Sequence, residues 1–150
     1  MKKKEVYALL LKQVQELLEG ETDRIANLAN TAAVIHAAFG FWWTGFYLVQ
    51  GRELVLGPFQ GPVACTRIPF GRGVCGAAWQ QGKTVVVPDV EEFPGHIACS
   101  SLSRSEIVVP ILKGKDVVAV LDIDSKDLAT FDARDAAGLE AIVALLAKFF

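Results

Sequence analysis

Cys99 closes the run Phe93-Pro94-Gly95-His96-Ile97-Ala98-Cys99, with Arg104 close behind it. An unperturbed thiol has a pKa of about 8.5 and is only a few per cent ionised near neutrality, so a positive neighbour that favours the thiolate helps a nucleophile. His96 is either that helper or a loop histidine bonded to backbone. Cys65 and Cys75 flank the turn Gly71-Arg72-Gly73. Burial as a small hydrophobe is the commonest fate of a free cysteine. A second thiol near the first is also what a sulfenic acid needs in order to be resolved as a disulfide.

The acidic candidates sit on strands. Asp122 and Asp124 stand two apart in the apolar run Val117-Val-Ala-Val-Leu-Asp-Ile-Asp124, so they project from one face. Glu106 opens the preceding strand. A three-residue connection places Glu106 opposite Asp122 or Asp124, whereas a two-residue one sends it to the other face. Carboxylates crowded into a partly apolar site repel one another, and at least one then holds its proton more tightly than in water, as a general acid must. The bland alternative is that Asp124 and Ser125 only cap the next turn. Further upstream, Trp43, Gly45 and Tyr47 share one strand face, and Trp42, Thr44, Phe46 and Leu48 share the other. One set lines a pocket, or both tryptophans are core.

These residues need a scaffold. Val6, Leu9, Leu10, Val14, Leu17 and Leu18 recur at helical spacing over residues 3–18, up to Gly20. A second helix runs through Ile25, Leu28, Ala32, Ile35 and Phe39, capped at Thr22 or Asp23 and closed by Gly40. Residues 41–49 and 53–59 read as strands joined at Gln50-Gly51-Arg52. Prolines and glycines make residues 57–73 mostly loop, with a short extended piece around 65–68. A short helix spans 74–81, and the β-branched run 84–87 stops at Pro88. Residues 89–105 form a long polar loop around Cys99, and loops of that length usually carry function. Two strands, 106–112 and 117–124, turn at Lys113-Gly114-Lys115-Asp116, and a helix over 131–150, capped near Thr130 or Asp132, closes the chain.

Terminal helices around hairpin-linked strands predict one α+β domain over residues 1–150: an antiparallel β-sheet flanked by helices on one face, with loops enclosing a ligand pocket on the other. With 150 residues and 52% hydrophobic content, the chain needs no cross-links to fold. Its 15 basic and 17 acidic residues leave a net charge of −2 and no basic stripe, which argues against a nucleic acid partner. No apolar run is long enough to span a bilayer. Glu5, Lys12 and Glu16 interrupt any secretory signal, so the expectation is a cytoplasmic protein whose thiols stay reduced. The 3 cysteines form neither a paired framework nor a C-x-x-C knuckle, which favours reactivity over stapling or a metal site.

Four runs together carry a family resemblance: residues 63–76 (VACTRIPFGRGVCG), 93–99 (FPGHIAC), 105–111 (SEIVVPI) and 120–125 (VLDIDS). They resemble the free methionine (R)-sulfoxide reductases, a catalytic branch of the GAF domain family, and the likeness covers nearly the whole chain. It implies a GAF fold with an enclosed pocket for free L-methionine (R)-sulfoxide, without cofactor or metal. Cys99 matches the family nucleophile, which attacks the sulfoxide sulfur and is left as sulfenic acid. Cys65 matches the principal resolving cysteine, whose disulfide with Cys99 thioredoxin reduces, and Cys75 matches an auxiliary one. Glu106, Asp122 and Asp124 match pocket carboxylates, and Trp43 and Tyr47 match pocket aromatics. A homodimer is also implied. The chain departs from the pattern at Trp42 and Thr44, where relatives often carry smaller residues, and at Ser100, where an acidic residue is frequent.

Competing readings are a non-catalytic GAF sensor, a zinc site of Cys65, Cys75, Cys99 and His96, and a reductase of protein-bound sulfoxide. Metal analysis separates the second. Substrate form separates the third.

Overall fold

The computed structural model describes residues 1–96, 99 and 102–150. Two helices come first, α1 (Lys3–Leu18) and α2 (Arg24–Phe39), then strands β1 (Trp43–Gln50), β2 (Glu53–Gln60) and β3 (Arg67–Pro69). Helix α3 (Gly73–Gln81) and strand β4 (Val85–Val87) follow, then the long strands β5 (Ser105–Lys113) and β6 (Asp116–Ser125), and finally α4 (Ala133–Ala144). The strands form one antiparallel sheet in the order β3-β2-β1-β6-β5-β4, which puts β6 and β1 at its centre.

Each face of this sheet carries its own apolar cluster. Phe46, Ile107, Val109, Ile111, Leu121 and Ile123 point to the side covered by α1, α2 and α4. Trp43, Tyr47, Leu54, Val108 and Val120 point to the other, with Val74, Cys75 and Ala78 of α3. The pocket side is therefore roofed by a helix as well as by loops, because α3 buries its own apolar residues there. Alternation along β1, β5 and β6 is what makes two faces out of one run of sequence.

The helical stripes differ in part from the periodicity. Tyr7, Leu10, Val14 and Leu18 form the buried stripe of α1, at the i, i+3, i+7, i+11 positions of one helix face. Leu9 and Leu17 lie beside that stripe and are exposed, as is Ile25 in α2. The cap of α2 is Asp23, whose side chain accepts from Ala26 N at 2.9 Å, and Gly40 ends the helix in the left-handed conformation that glycine adopts without strain. The closing helix starts at a capping box between Asp132 and Asp135, and a short 3₁₀ turn, Ala147–Phe149, replaces its expected last turns.

Asp135 also bolts α4 to α1. It is 1% exposed, accepts from the Tyr7 hydroxyl at 2.6 Å and receives Lys3 Nζ at 2.5 Å. Asp135→Ala leaves the buried Tyr7 hydroxyl with no acceptor and should cost about 2–4 kcal/mol, against about 1 kcal/mol for Tyr7→Phe. Urea unfolding measures both. Equal losses would show that the carboxylate does no more than the hydroxyl bond.

Two bulges set the register around the site. On β2, Gly57 and Pro58 together oppose Phe46, so the strand absorbs a proline and ends at Gln60, one residue past the expected 53–59. On β6 the turn holds two residues, Gly114 and Lys115, between the paired Lys113 and Asp116. Val118 is then extra: Leu112 pairs Val117 while Ile111 pairs Ala119. The inserted residue restores the parity that a two-residue turn would have reversed, and Glu106 pairs directly with Asp124.

Candidate active site

The pocket over the β1–β6–β5 face is lined by Cys99, Cys75, Glu106, Asp122 and Asp124, with Trp43 and Tyr47 as its aromatic wall. Its atom-free space is about 550 Å³, part of it open to solvent. Cys65 and Cys99 are joined by a disulfide, with Cα atoms 5.4 Å apart. Cys99 thus stands on the same side of the sheet as all three carboxylates, with a second thiol in bonding reach. Ser100 lies outside the described residues, as do Ile97, Ala98 and Ser101.

Trp43 packs across Gly45 to stack on both Tyr47 and Phe59, with centroids at 5.9 and 5.3 Å. A side chain at position 45 would overlap the indole and Phe59, so this pose of Trp43 depends on the glycine. Its indole N–H donates to Pro62 O at 3.0 Å, and the Tyr47 hydroxyl donates to Cys65 O at 2.8 Å. Both aromatics therefore hold the 62–65 segment, and with it Cys65, against the sheet. Of the other strand set, Phe46 and Leu48 face the helices, and buried Thr44 meets His36 Nδ1 at 2.9 Å there. Trp42 does not join them. It lies just before β1, outside the pleat, packs against the pocket-side cluster and sits under Lys126 Nζ at 4.0 Å.

The acidic residues form a proton-holding cluster. Burial and the charges of Asp122 and Asp124 push Glu106 well above the carboxylate range. Burial raises Asp122 as well, but hydrogen bonds from Glu106 and Cys75 oppose that rise. Asp124, partly exposed, is raised by burial and by the charge of Asp122, and Glu106 bonds it too. All three carboxyl groups thus hold protons more tightly than in water, Glu106 through its burial and the charges of both neighbours. Even so, Asp122 Oδ1 is buried with no hydrogen-bond partner. Burial first, then the surrounding carboxylates, push the Cys75 thiol up, and its S–H bonds Asp122. A thiol raised in this way favours its protonated form.

The positive group that reaches the pocket is Arg72, which caps the N-terminus of α3. Arg104, expected beside the thiol, instead lines a separate groove with Asp89, Glu91 and Lys126, because its backbone is pinned between Ser125 O and Val90 N. Nothing in the residue types distinguished the two arginines; the turn between Cys65 and Cys75 was the available signal for Arg72. His96 lines the pocket with Nε2 3.9 Å from Glu106 Oε1, and burial lowers its pKa, which favours the neutral ring. As a zinc set, Cys65, Cys75, Cys99 and His96 lose two thiolates to the disulfide. Behind the cluster, buried Ser105 donates to Asp127 O at 2.6 Å, and Thr130 donates to Ser125 Oγ at 2.6 Å. These bonds tie the strand ends next to Glu106 and Asp124.

A GAF domain family model matches residues 12–150. The chain is 59% identical to GAF domain-containing protein A of Dictyostelium discoideum over 96% of its own length and 92% of that protein. It is 46% identical to the free methionine-R-sulfoxide reductase of Escherichia coli, over 99% of this chain and 90% of the other. A solved structure of the free methionine-R-sulfoxide reductase of Neisseria meningitidis, in complex with its substrate, superposes with a TM-score of 0.98 at 57% identity, covering 100% of this chain and 91% of that one.

Proposed function

The chain belongs to the GAF domain family, and to the free methionine-R-sulfoxide reductases within it, and from that premise we propose that it reduces free L-methionine (R)-sulfoxide to methionine by thiol chemistry at Cys99. The observation that supports the reading most is the meeting of Cys99 with three carboxyl groups in one pocket, together with the disulfide that joins Cys99 to Cys65.

The Cys99 thiolate attacks the sulfoxide sulfur. Glu106 gives a proton to the sulfoxide oxygen as the sulfur–oxygen bond breaks. The protonated oxygen passes from the methionine sulfur to Cys99 Sγ while the sulfur–sulfur bond made by the attack breaks, so methionine leaves and Cys99 is left as sulfenic acid. Cys65 then attacks Cys99 Sγ, water departs, and the disulfide forms. A dithiol of the thioredoxin type takes up that disulfide by exchange and returns both cysteines to thiols. Asp122 keeps the negative charge that pairs with the substrate ammonium, and Trp43 and Tyr47 pack the methyl and side-chain carbons. Cys75 serves as the hydrogen-bond partner of Asp122. A reducing compartment such as the cytoplasm supplies the thioredoxin, and a homodimer is the assembly. Among the described residues no helix is long and apolar enough to cross a membrane.

The test couples NADPH oxidation to thioredoxin reductase and thioredoxin, with the two epimers of free methionine sulfoxide supplied separately. Turnover of the R epimer and none of the S epimer is expected. Equal rates on both, or turnover confined to sulfoxide within peptides, would overturn the assignment.

A further inference from the structure

Cys75 Sγ, a Glu106 carboxylate oxygen and an Asp122 carboxylate oxygen lie within 4.8 Å of one another. Each comes from a different element, α3, β5 and β6, and all three side chains are buried. In a tetrahedral zinc site, metal–sulfur distances of about 2.3 Å and metal–oxygen distances of about 2.1 Å put neighbouring ligand atoms roughly 3.6 Å apart. The three donors are therefore within a side-chain adjustment of that geometry. A second observation points the same way. Asp122 is 6% exposed, and its Oδ1 has no partner in the protein. A buried carboxylate oxygen left bare is costly, and a cation would satisfy it.

We infer that the oxidised chain binds one thiophilic divalent cation, of the Zn²⁺ class, on Cys75, Glu106 and Asp122, in the space that substrate otherwise fills. The donor set selects the cation. Mg²⁺ and Ca²⁺ take oxygen ligands, whereas one thiolate with two carboxylates suits zinc and its neighbours. Binding releases the Cys75 thiol proton and the proton that Glu106 shares with Asp122 to solvent, leaving one thiolate and two carboxylates around the ion. Arg72 lines the same pocket and opposes any cation, so the site depends on coordinate bonds more than on the local field. The Cys65–Cys99 disulfide removes both other sulfurs as thiolate ligands, which leaves Cys75 as the free thiol of the oxidised chain.

The oxidised protein, titrated with Co²⁺, should develop a near-ultraviolet sulfur-to-cobalt charge-transfer band that saturates at one equivalent and is discharged by Zn²⁺. Cys75→Ser should lose the band. Asp122→Asn keeps the thiol and should weaken Zn²⁺ binding by about tenfold or more, at least what losing an outer-shell contact costs. Absence of the band in the unmodified chain, its survival in Cys75→Ser, or undiminished Zn²⁺ affinity in Asp122→Asn would each overturn the proposal. The readout needs no turnover and no sulfoxide, so it stands or falls separately from the reductase reading.

Discussion

Cys99→Ser should reduce methionine release from the free sulfoxide to the rate of an enzyme-free control, because a serine hydroxyl is far from ionised near neutrality and far less nucleophilic than a thiolate. Chromatography of methionine in a single-turnover reaction, with enzyme in excess, measures this without thioredoxin. Retained release would overturn the role given to Cys99. Cys65→Ser separates the first half of the reaction from the second. It should release about one methionine per chain, then stop, with a Cys99 sulfenic acid that a dimedone-type probe captures. Cys75 is poorly placed to rescue that variant, since burial and the carboxylates around it keep its thiol protonated.

Glu106→Gln should slow the chemical step by on the order of 10²-fold or more, the usual weight of a general acid, and at the same time stabilise the fold at neutral pH. The two effects have one source. Burial and the neighbouring charges raise Glu106 in the folded state, so the native chain binds this proton more tightly than the unfolded chain does. Stability from this group is fully present below the unfolded carboxyl range, near 4, and is lost as pH rises through the elevated folded range. At neutral pH the native glutamate is paying that cost, and the amide removes it. Stopped-flow methionine release and urea unfolding at neutral pH check the pair. A variant that is slower and also less stable would point to a packing role for Glu106 instead. By the same sign, the wild-type chemical step should fall on the alkaline side, as the cluster gives up its last proton.

Much of this arrangement was legible in residue types and spacing. One helix end followed from Gly40, the two caps were narrowed to pairs that hold Asp23 and Asp132, and the shared face of Asp122 and Asp124 followed from strand parity. The resemblance brought together cysteines far apart in the chain, which periodicity alone does not do. What escaped were effects of packing around a given spacing. Leu9, Leu17 and Ile25 satisfy a helical repeat yet lie outside the buried sector, since the sector is chosen by the sheet and by α4. Trp42 obeys no pleat because the strand begins one residue later. Arg104 is near Cys99 in sequence but is held elsewhere by its backbone bonds, whereas Arg72 arrives at the pocket from the cap of α3.

Val118 adds nothing to the chemistry, yet the side of the sheet on which the acids lie depends on it. The short turn between β5 and β6 commits Glu106 and Asp124 to opposite surfaces unless one residue is counted twice, and Val118 is that residue. Shortening β6 by this single position would turn Asp122 and Asp124 toward the helices and bring Leu121 and Ile123 out beneath Cys99. Side chains along this hairpin can therefore change far more freely than its length can.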